Sequence, residues 1–489
     1  MGIGDIQNDL FGMPGSVARS QFILVSANLL KLMLSLIATV FLGRVLSPAD
    51  FGFFSLITGL LAFCYTISDL GSNDIVTREI SANQDLEKPL LESLMLLRVA
   101  IACVLALIWF YIASVQVSTG QRIVFICLAI SMYAIVSNAL VPAFTIRQSQ
   151  LTPAIALLVP QATFLILTVI LYYWNFPPTG YSLLVIAREF TAMTALYFLS
   201  KNLLGFAPRP NLSNNQLPRL APGLLTIGAS TVFFGALFQI GFLYVWLKLD
   251  AEQLGPYGAA LRLFLPLISL PYLLAAPLLP QLTRDAITNL PGFKARTSSL
   301  IPFLIGISAI VSTTGLLYSE SILAVLYGEK YITEPLSAVS TMGWFSAAYG
   351  LLLILPFLVA TFIALGQEKK LLLLSVSACV VDVITCAIFI PTLGISAAAM
   401  ALTSALFILL ISGFSILFLS IGLRVSTFSI TLALVPAAAI YLTEPWLTPE
   451  SSIPALTFGL IVAVLAVSAL WRIPSISGGW RELRGKNAN

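Results

Sequence analysis

The sequence predicts an all-α integral membrane protein of about fourteen transmembrane helices, built as two parallel-repeat six-helix lobes plus two C-terminal helices. Three observations predict it. Of the 489 residues, 58% are hydrophobic and only 9% charged, with a mean hydropathy of +0.98. The apolar residues come in continuous runs of about 20, the length a helix needs to cross a bilayer, rather than in the alternation of a membrane β-barrel. The basic residues between the runs fall almost entirely on one side once the runs alternate in direction.

The runs, taken in order, are 21–42, 51–71, 90–113, 122–144, 152–173, 181–201, 221–247, 256–280, 299–318, 336–365, 371–390, 396–421, 428–443 and 453–471. The thirteenth is the shortest. With both termini in the cytoplasm, seventeen Lys and Arg fall on the cytoplasmic side. Only Arg44, Arg122, Lys248 and Lys330 fall outside. A single missed or invented span would invert every later loop and destroy that bias. The predicted boundaries are residues 1–203 for the N-terminal lobe (helices 1–6), 204–423 for the C-terminal lobe (helices 7–12) and 424–489 for helices 13–14 with a cytoplasmic tail. No stretch between the runs is long enough to bury a core of its own. No cleavable signal peptide is evident, since no small-residue cleavage site follows the first run.

The case for two lobes rests on a repeat. Leu46–Ser55 reads LSPADFGFFS and Leu249–Gly258 reads LDAEQLGPYG. Ser47 and Asp250 are both good N-cap residues, and Pro48 suits a first helical turn. Each junction is thus expected to cap the second helix of its half. An even number of spans separates the copies, so the halves run in the same direction. Transporters with such parallel repeats place the substrate site between the halves.

Several chemistries find no support. There is no histidine, no metal-ligand spacing, no phosphate-binding glycine loop and no nucleophile–base pair, so no enzyme, metal or cofactor is expected. The five cysteines all fall in apolar runs and read as small core hydrophobes.

The informative residues are four cations inside the spans: Lys31, Arg98, Arg188 and Arg262. A charge near the bilayer centre costs about 2.5–3.5 kcal/mol on insertion scales. Such costs persist where side chains face water, so the four predict a shared aqueous cavity that receives an anion. The competing reading is snorkelling to an interface or pairing with an acid, most relevant to Arg188 because Glu189 follows it. Among the acids, Asp69 and Glu92 stand at span ends near the cytoplasmic interface, where Asp69 is a candidate gate. Glu189 and Asp382 lie deeper. Either can carry a coupling proton or sodium ion, or serve as partner to a buried cation. Pro266, Pro271 and Pro277 cluster beside Arg262 and mark helix 8 as a bent gating element.

Several stretches resemble one family. FLGRVLSPADFGFFSL, SDLGSNDIVTREI, VLYGEKYITEPLSAVSTM, IALGQEKKLLLLSV and IPTLGISAAAMALTSA occur in the order and spacing of the polysaccharide-repeat-unit (Wzx-type) flippases. That family lies in the multidrug/oligosaccharidyl-lipid/polysaccharide exporter superfamily. The likeness runs from about Arg19 to Arg472. It implies alternating access and a lipid-linked oligosaccharide on a polyprenyl diphosphate carrier. It also implies a place in the bacterial cytoplasmic (inner) membrane, with a polysaccharide polymerase and a chain-length regulator as partners and no nucleic acid. On this reading Lys31, Arg98, Arg262 and Arg188 bind the diphosphate, while Asp382, Glu189 and Asp69 serve ion coupling or gating. The alternatives that stay open are a lipid II flippase, a drug/cation antiporter, and a membrane glycosyltransferase or polymerase. The antiporter would want a cavity rich in acids. The last would want catalytic groups on a large outer loop, and 319–335 is the longest available.

Overall fold

The computed structural model describes residues 15–115, 119–146, 151–204, 209–211, 216–218, 220, 224, 228–268, 271, 282, 284–286, 288–333, 337–423 and 427–447. Within them the chain is helical without a strand. Ten helices are long and apolar enough to cross a membrane, and the shorter apolar helices Leu158–Tyr173 and Ser429–Ala438 match two further expected spans. The protein is a multi-pass membrane protein. The expected span 453–471 and most of the second half of 256–280 lie outside the described residues. The chain divides into two compact units, Met1–Gln239 and Ile240–Asn489.

The first unit contains α1 (Gly15–Val45), α2 (Pro48–Asp69), α3 (Ser72–Ala82), α4 (Glu87–Val115), α5 (Thr119–Ser131), α6 (Val141–Ile146), α7 (Leu151–Tyr173), α8 (Leu183–Leu204) and the start of α9 (Ala229–Lys248). A 3-10 segment, Met132–Leu140, joins α5 to α6 within one expected span. Helix α1 packs on α7, α7 on α8, and α4 on α5. Ser47 caps α2 as expected: it is extended (φ −61°, ψ 157°), its Oγ accepts from the Asp50 N–H at 3.2 Å, and Pro48 fills the first turn.

The segment after α2, which no predicted span covers, forms helix α3. Its apolar side (Ile75, Val76, Ile80) enters a buried cluster with Leu90, Leu94, Leu140 and Phe144. Residues 72–82 are too polar to read as a span but amphipathic enough to lie on a core. Leu220, from the stretch leading toward α9, is buried in the same cluster.

The second unit contains α10 (Leu254–Phe264), α11 (Leu290–Leu317), α12 (Ser319–Tyr327), α13 (Val339–Ala364), α14 (Glu368–Leu393), α15 (Ile395–Ile421) and α16 (Thr427–Leu447). Helix α13 packs on α11 and α15, α14 on α15, and α11 on α16. The second repeat junction departs from the first. Asp250 makes no side-chain cap; a 3-10 turn, Ala251–Gln253, intervenes before α10 starts. Helix α10 then gives way at Leu265–Ile268 to a 3-10 turn containing Pro266, whose ring cannot continue an α-helical hydrogen-bond ladder. The expected outer loop 319–335 is largely ordered as α12 and a 3-10 turn, with Tyr327 and Tyr331 buried edge to face. Four cysteines are buried as expected; Cys103 is exposed on α4.

Candidate functional site

Three of the four intramembrane cations lie in the first unit, each on a different helix: Lys31 on α1, Arg98 on α4 and Arg188 on α8. Arg98 is completely buried. Helix α2 stops at Asp69 because the next two residues, Leu70 (φ 46°) and Gly71 (φ 64°), turn left-handed. Gly71 adopts that conformation freely, whereas Leu70 costs about 1–2 kcal/mol there. The turn lets residues on both its sides converge on one nitrogen. Arg98 Nη2 donates to Asp69 Oδ1 at 2.8 Å, to Asn73 Oδ1 at 2.9 Å and to Ser72 Oγ at 3.3 Å. Nε and Nη1 of Arg98 are buried without a hydrogen-bond partner. Arg98 is therefore a clamp across the α2–α3 elbow, and the Asp69 charge neutralises its own.

The second group centres on Glu189. Arg188 reaches Glu189 Oε1 through Nε at 2.8 Å and Nη2 at 2.6 Å. Tyr65 of α2 donates its phenol to Glu189 Oε2. The Arg188 guanidinium lies 5.7 Å from the centre of the Phe164 ring, a cation–π arrangement that holds charge without a full counter-ion. Lys31 is half-buried within Coulombic reach of both Arg188 and Glu189. Tyr133 faces Glu189 while donating to the Ile186 carbonyl at 3.2 Å. Tyr65 is also within Coulombic reach of Arg98, which makes it the link between the two groups. The balance differs between them. Arg98 and Asp69 cancel, whereas Lys31 and Arg188 share one carboxylate and leave one positive charge in excess. Arg188 keeps 23% of its side chain exposed, against 6% for Glu189.

In the second unit Asp382 is completely buried on α14. Its Oδ1 faces the Cys386 thiol at 3.9 Å, a weak contact, and its Oδ2 has no hydrogen-bond partner. Tyr257 of α10 is within Coulombic reach of Asp382 and Cys386. Gly241 makes room for it, since a Cβ there would stand 2.6 Å from the Tyr257 hydroxyl. Arg262, the fourth cation, is in the last turn of α10, half-buried, within Coulombic reach of Tyr327.

A membrane-spanning helical chain with this charge distribution matches known proteins in two ways. Residues 17–260 match the family described as polysaccharide biosynthesis protein. That match spans 244 of the 489 residues, just under half of the chain. The fold as a whole resembles those of several solved transporters. It is similar to the lipid II flippase MurJ in its inward closed conformation, with a TM-score of 0.72, 13% identity, and 94% of this chain and 99% of that one covered. It is also similar to a superfamily transporter from Pyrococcus furiosus described as having a binding pocket of reversed polarity (TM-score 0.57, 15% identity, 86% and 98% covered). A multidrug resistance transporter in an inward-facing conformation matches with a TM-score of 0.55 at 14% identity, with 82% and 98% covered. No curated protein matches by sequence. The resemblance to the polysaccharide-repeat-unit flippases read from the sequence stands on the family match and the shared fold together.

The structure also supplies residues that the charges alone did not reveal. Tyr65, Tyr133, Ser72 and Asn73 join the cation groups, yet in sequence they are neutral residues in apolar or turn segments. The one local signal was the SDLGSN stretch, where an acid, a glycine and two short polar residues follow the end of a helix. Glu92, expected at an interface, is buried and accepts from Asn211 Nδ2 at 3.2 Å; next to it the Ser93 hydroxyl accepts from the Gln216 N–H at 2.9 Å.

Proposed function

We propose that the protein is a flippase that turns an undecaprenyl-diphosphate-linked oligosaccharide from the cytoplasmic to the outer face of the bacterial cytoplasmic membrane. The observation that carries this reading is the gathering of two cations inside membrane spans at Glu189: Arg188 is paired with its carboxylate, and Lys31 lies within Coulombic reach of both. A lipid diphosphate supplies the missing negative charge, and charge-assisted hydrogen bonds to phosphate are among the strongest a protein makes. Arg98 has a different role in this scheme. Clamped to Asp69, it positions the α2–α3 elbow. The family match and the exporter fold support transport of a lipid-linked saccharide; lipid II carries the same type of headgroup linkage and is the near alternative.

Asp382 is the coupling residue in this scheme. An ionised carboxylate in an apolar interior costs several kcal/mol, and among the described residues Asp382 Oδ2 has no hydrogen-bond partner, so the side chain is suited to bind a proton or a cation. Loading and release of that ion bias the two access states, as any ligand with different affinities for two conformations does. A polymerase and a chain-length regulator are the partners that would consume the flipped unit.

The test is translocation in proteoliposomes of a fluorescent undecaprenyl-diphosphate sugar against an analogue with a neutral linkage. The native protein is expected to move only the diphosphate. Lys31→Gln and Arg188→Gln are each expected to cut transport at least about tenfold, the loss of one charge-assisted bond. Equal transport of the neutral analogue would sink the anion-site reading.

A further inference from the structure

Helices α7 and α8 enclose a groove of about 400 Å³ lined by Val159, Phe190, Thr191, Thr194, Ala195 and Phe198, among others. Among the described residues that line it, none is charged and only Thr191 and Thr194 bear hydroxyls. Phe190 and Phe198 are more than half exposed along it. Helical spacing connects this groove to the cation group. Arg188, Thr191, Ala195 and Phe198 follow at intervals of three, four and three residues, so they share one face of α8. Across the packed pair, Arg188 lies over Phe164, five residues beyond Val159 on α7. A cation thus stands at the head of an apolar channel that runs about 15 Å, ten residues along the α8 axis, to Phe198.

We infer that this groove seats the polyisoprenyl chain of the lipid substrate, with its diphosphate at Arg188 and Lys31. The inference rests on the proposed anion site and adds to it a tail site within the first unit. Two features select the occupant. The groove is too small for a helix, which is about 10 Å across. Its open end carries excess positive charge, which requires an anionic head joined directly to the chain. The methyl-branched isoprenoid packs against phenyl rings and threonine methyls. Because bilayer lipid is as apolar as the groove, no hydrophobic gain drives this seating; it comes from close packing alone, as between membrane helices. The groove therefore selects among chains more than it raises affinity.

The experiment uses the full chain in phosphatidylcholine nanodiscs and two radiolabelled probes, undecaprenyl diphosphate and inorganic pyrophosphate. Ala195→Leu, which fills the groove, and Phe198→Ala, which removes a wall, are each expected to weaken undecaprenyl diphosphate about fivefold while leaving pyrophosphate unchanged. Arg188→Gln is expected to weaken both probes. Excess phosphatidylglycerol is expected not to displace undecaprenyl diphosphate. Native undecaprenyl diphosphate binding by both groove variants would overturn the tail site, whatever Arg188→Gln does. Displacement by phosphatidylglycerol would show a general lipid seat and overturn it too. Loss of pyrophosphate in both groove variants would show that the stripe serves the fold, with the same consequence. Pyrophosphate binding that survives Arg188→Gln and Lys31→Gln would instead overturn the anion site itself.

Discussion

The two units handle buried charge in opposite ways. In the first, three cations and two acids from four helices form connected groups, with Tyr65 between them. In the second, one carboxylate, Asp382, is buried with only a thiol on one oxygen and nothing on the other. A paired charge is held in one protonation state by its partner. An unpaired one must change state or bind an ion to remain buried. The first arrangement suits a permanent anion-receiving surface and the second suits a switch.

Breaking the pairing in the first unit should have the largest effect. Arg98→Ala empties a fully buried site, removes the partner of the half-buried Asp69 and frees the left-handed turn at Leu70, so it should destabilise the first unit by about 2–5 kcal/mol. Size-exclusion profiles and thermal unfolding in detergent would register this as loss of folded protein. Arg98→Met with Asp69→Leu, which removes both charges at similar volume, should recover most of it. Full stability of Arg98→Ala would mean that the clamp does not hold the elbow.

Asp382→Asn should do the reverse. With no salt-bridge partner among the described residues, the amide should leave stability within about 0.5 kcal/mol of native. Gradient-driven transport in proteoliposomes should nevertheless fall by at least about tenfold, while passive exchange persists. If transport and stability both stay native, Asp382 is not the coupling residue. Tyr65→Phe probes the link between the groups: losing one hydrogen bond to a charged acceptor should cost about 1.5–3 kcal/mol, read from the midpoint of thermal unfolding. A silent Tyr65→Phe would make the two groups independent.

The smallest effect separates the repeat junctions. Ser47 caps α2 and Asp250 caps nothing, so Ser47→Ala should cost about 1 kcal/mol and Asp250→Ala close to zero. Equal losses in unfolding assays would restore the symmetry that the sequence repeat implied.

Much of the fold was legible because lipid is an unforgiving solvent. Every backbone polar group must be satisfied within the helix, so length and apolarity alone located the described spans to within a few residues, save where α9 and α11 start. The sequence repeat also marked where α2 and α10 begin. Helices α3 and α12 were missed because each covers a core with one face and is too short or too polar to register as a span. The charged residues of the candidate site were legible as well, since Lys31, Arg98, Arg188, Glu189 and Asp382 stand out against apolar neighbours.

What the sequence by itself determined, then, was where charge had to be accommodated. Only the tertiary structure decided how: Arg98 against Asp69 across 29 positions of chain, Tyr65 against Glu189 across 124, and Asp382 left with a thiol. Pairing depends on which helix faces meet. Spans this uniformly apolar carry little amphipathic signal to say which face turns inward, so the choice of partner is made by packing, after the helices have formed.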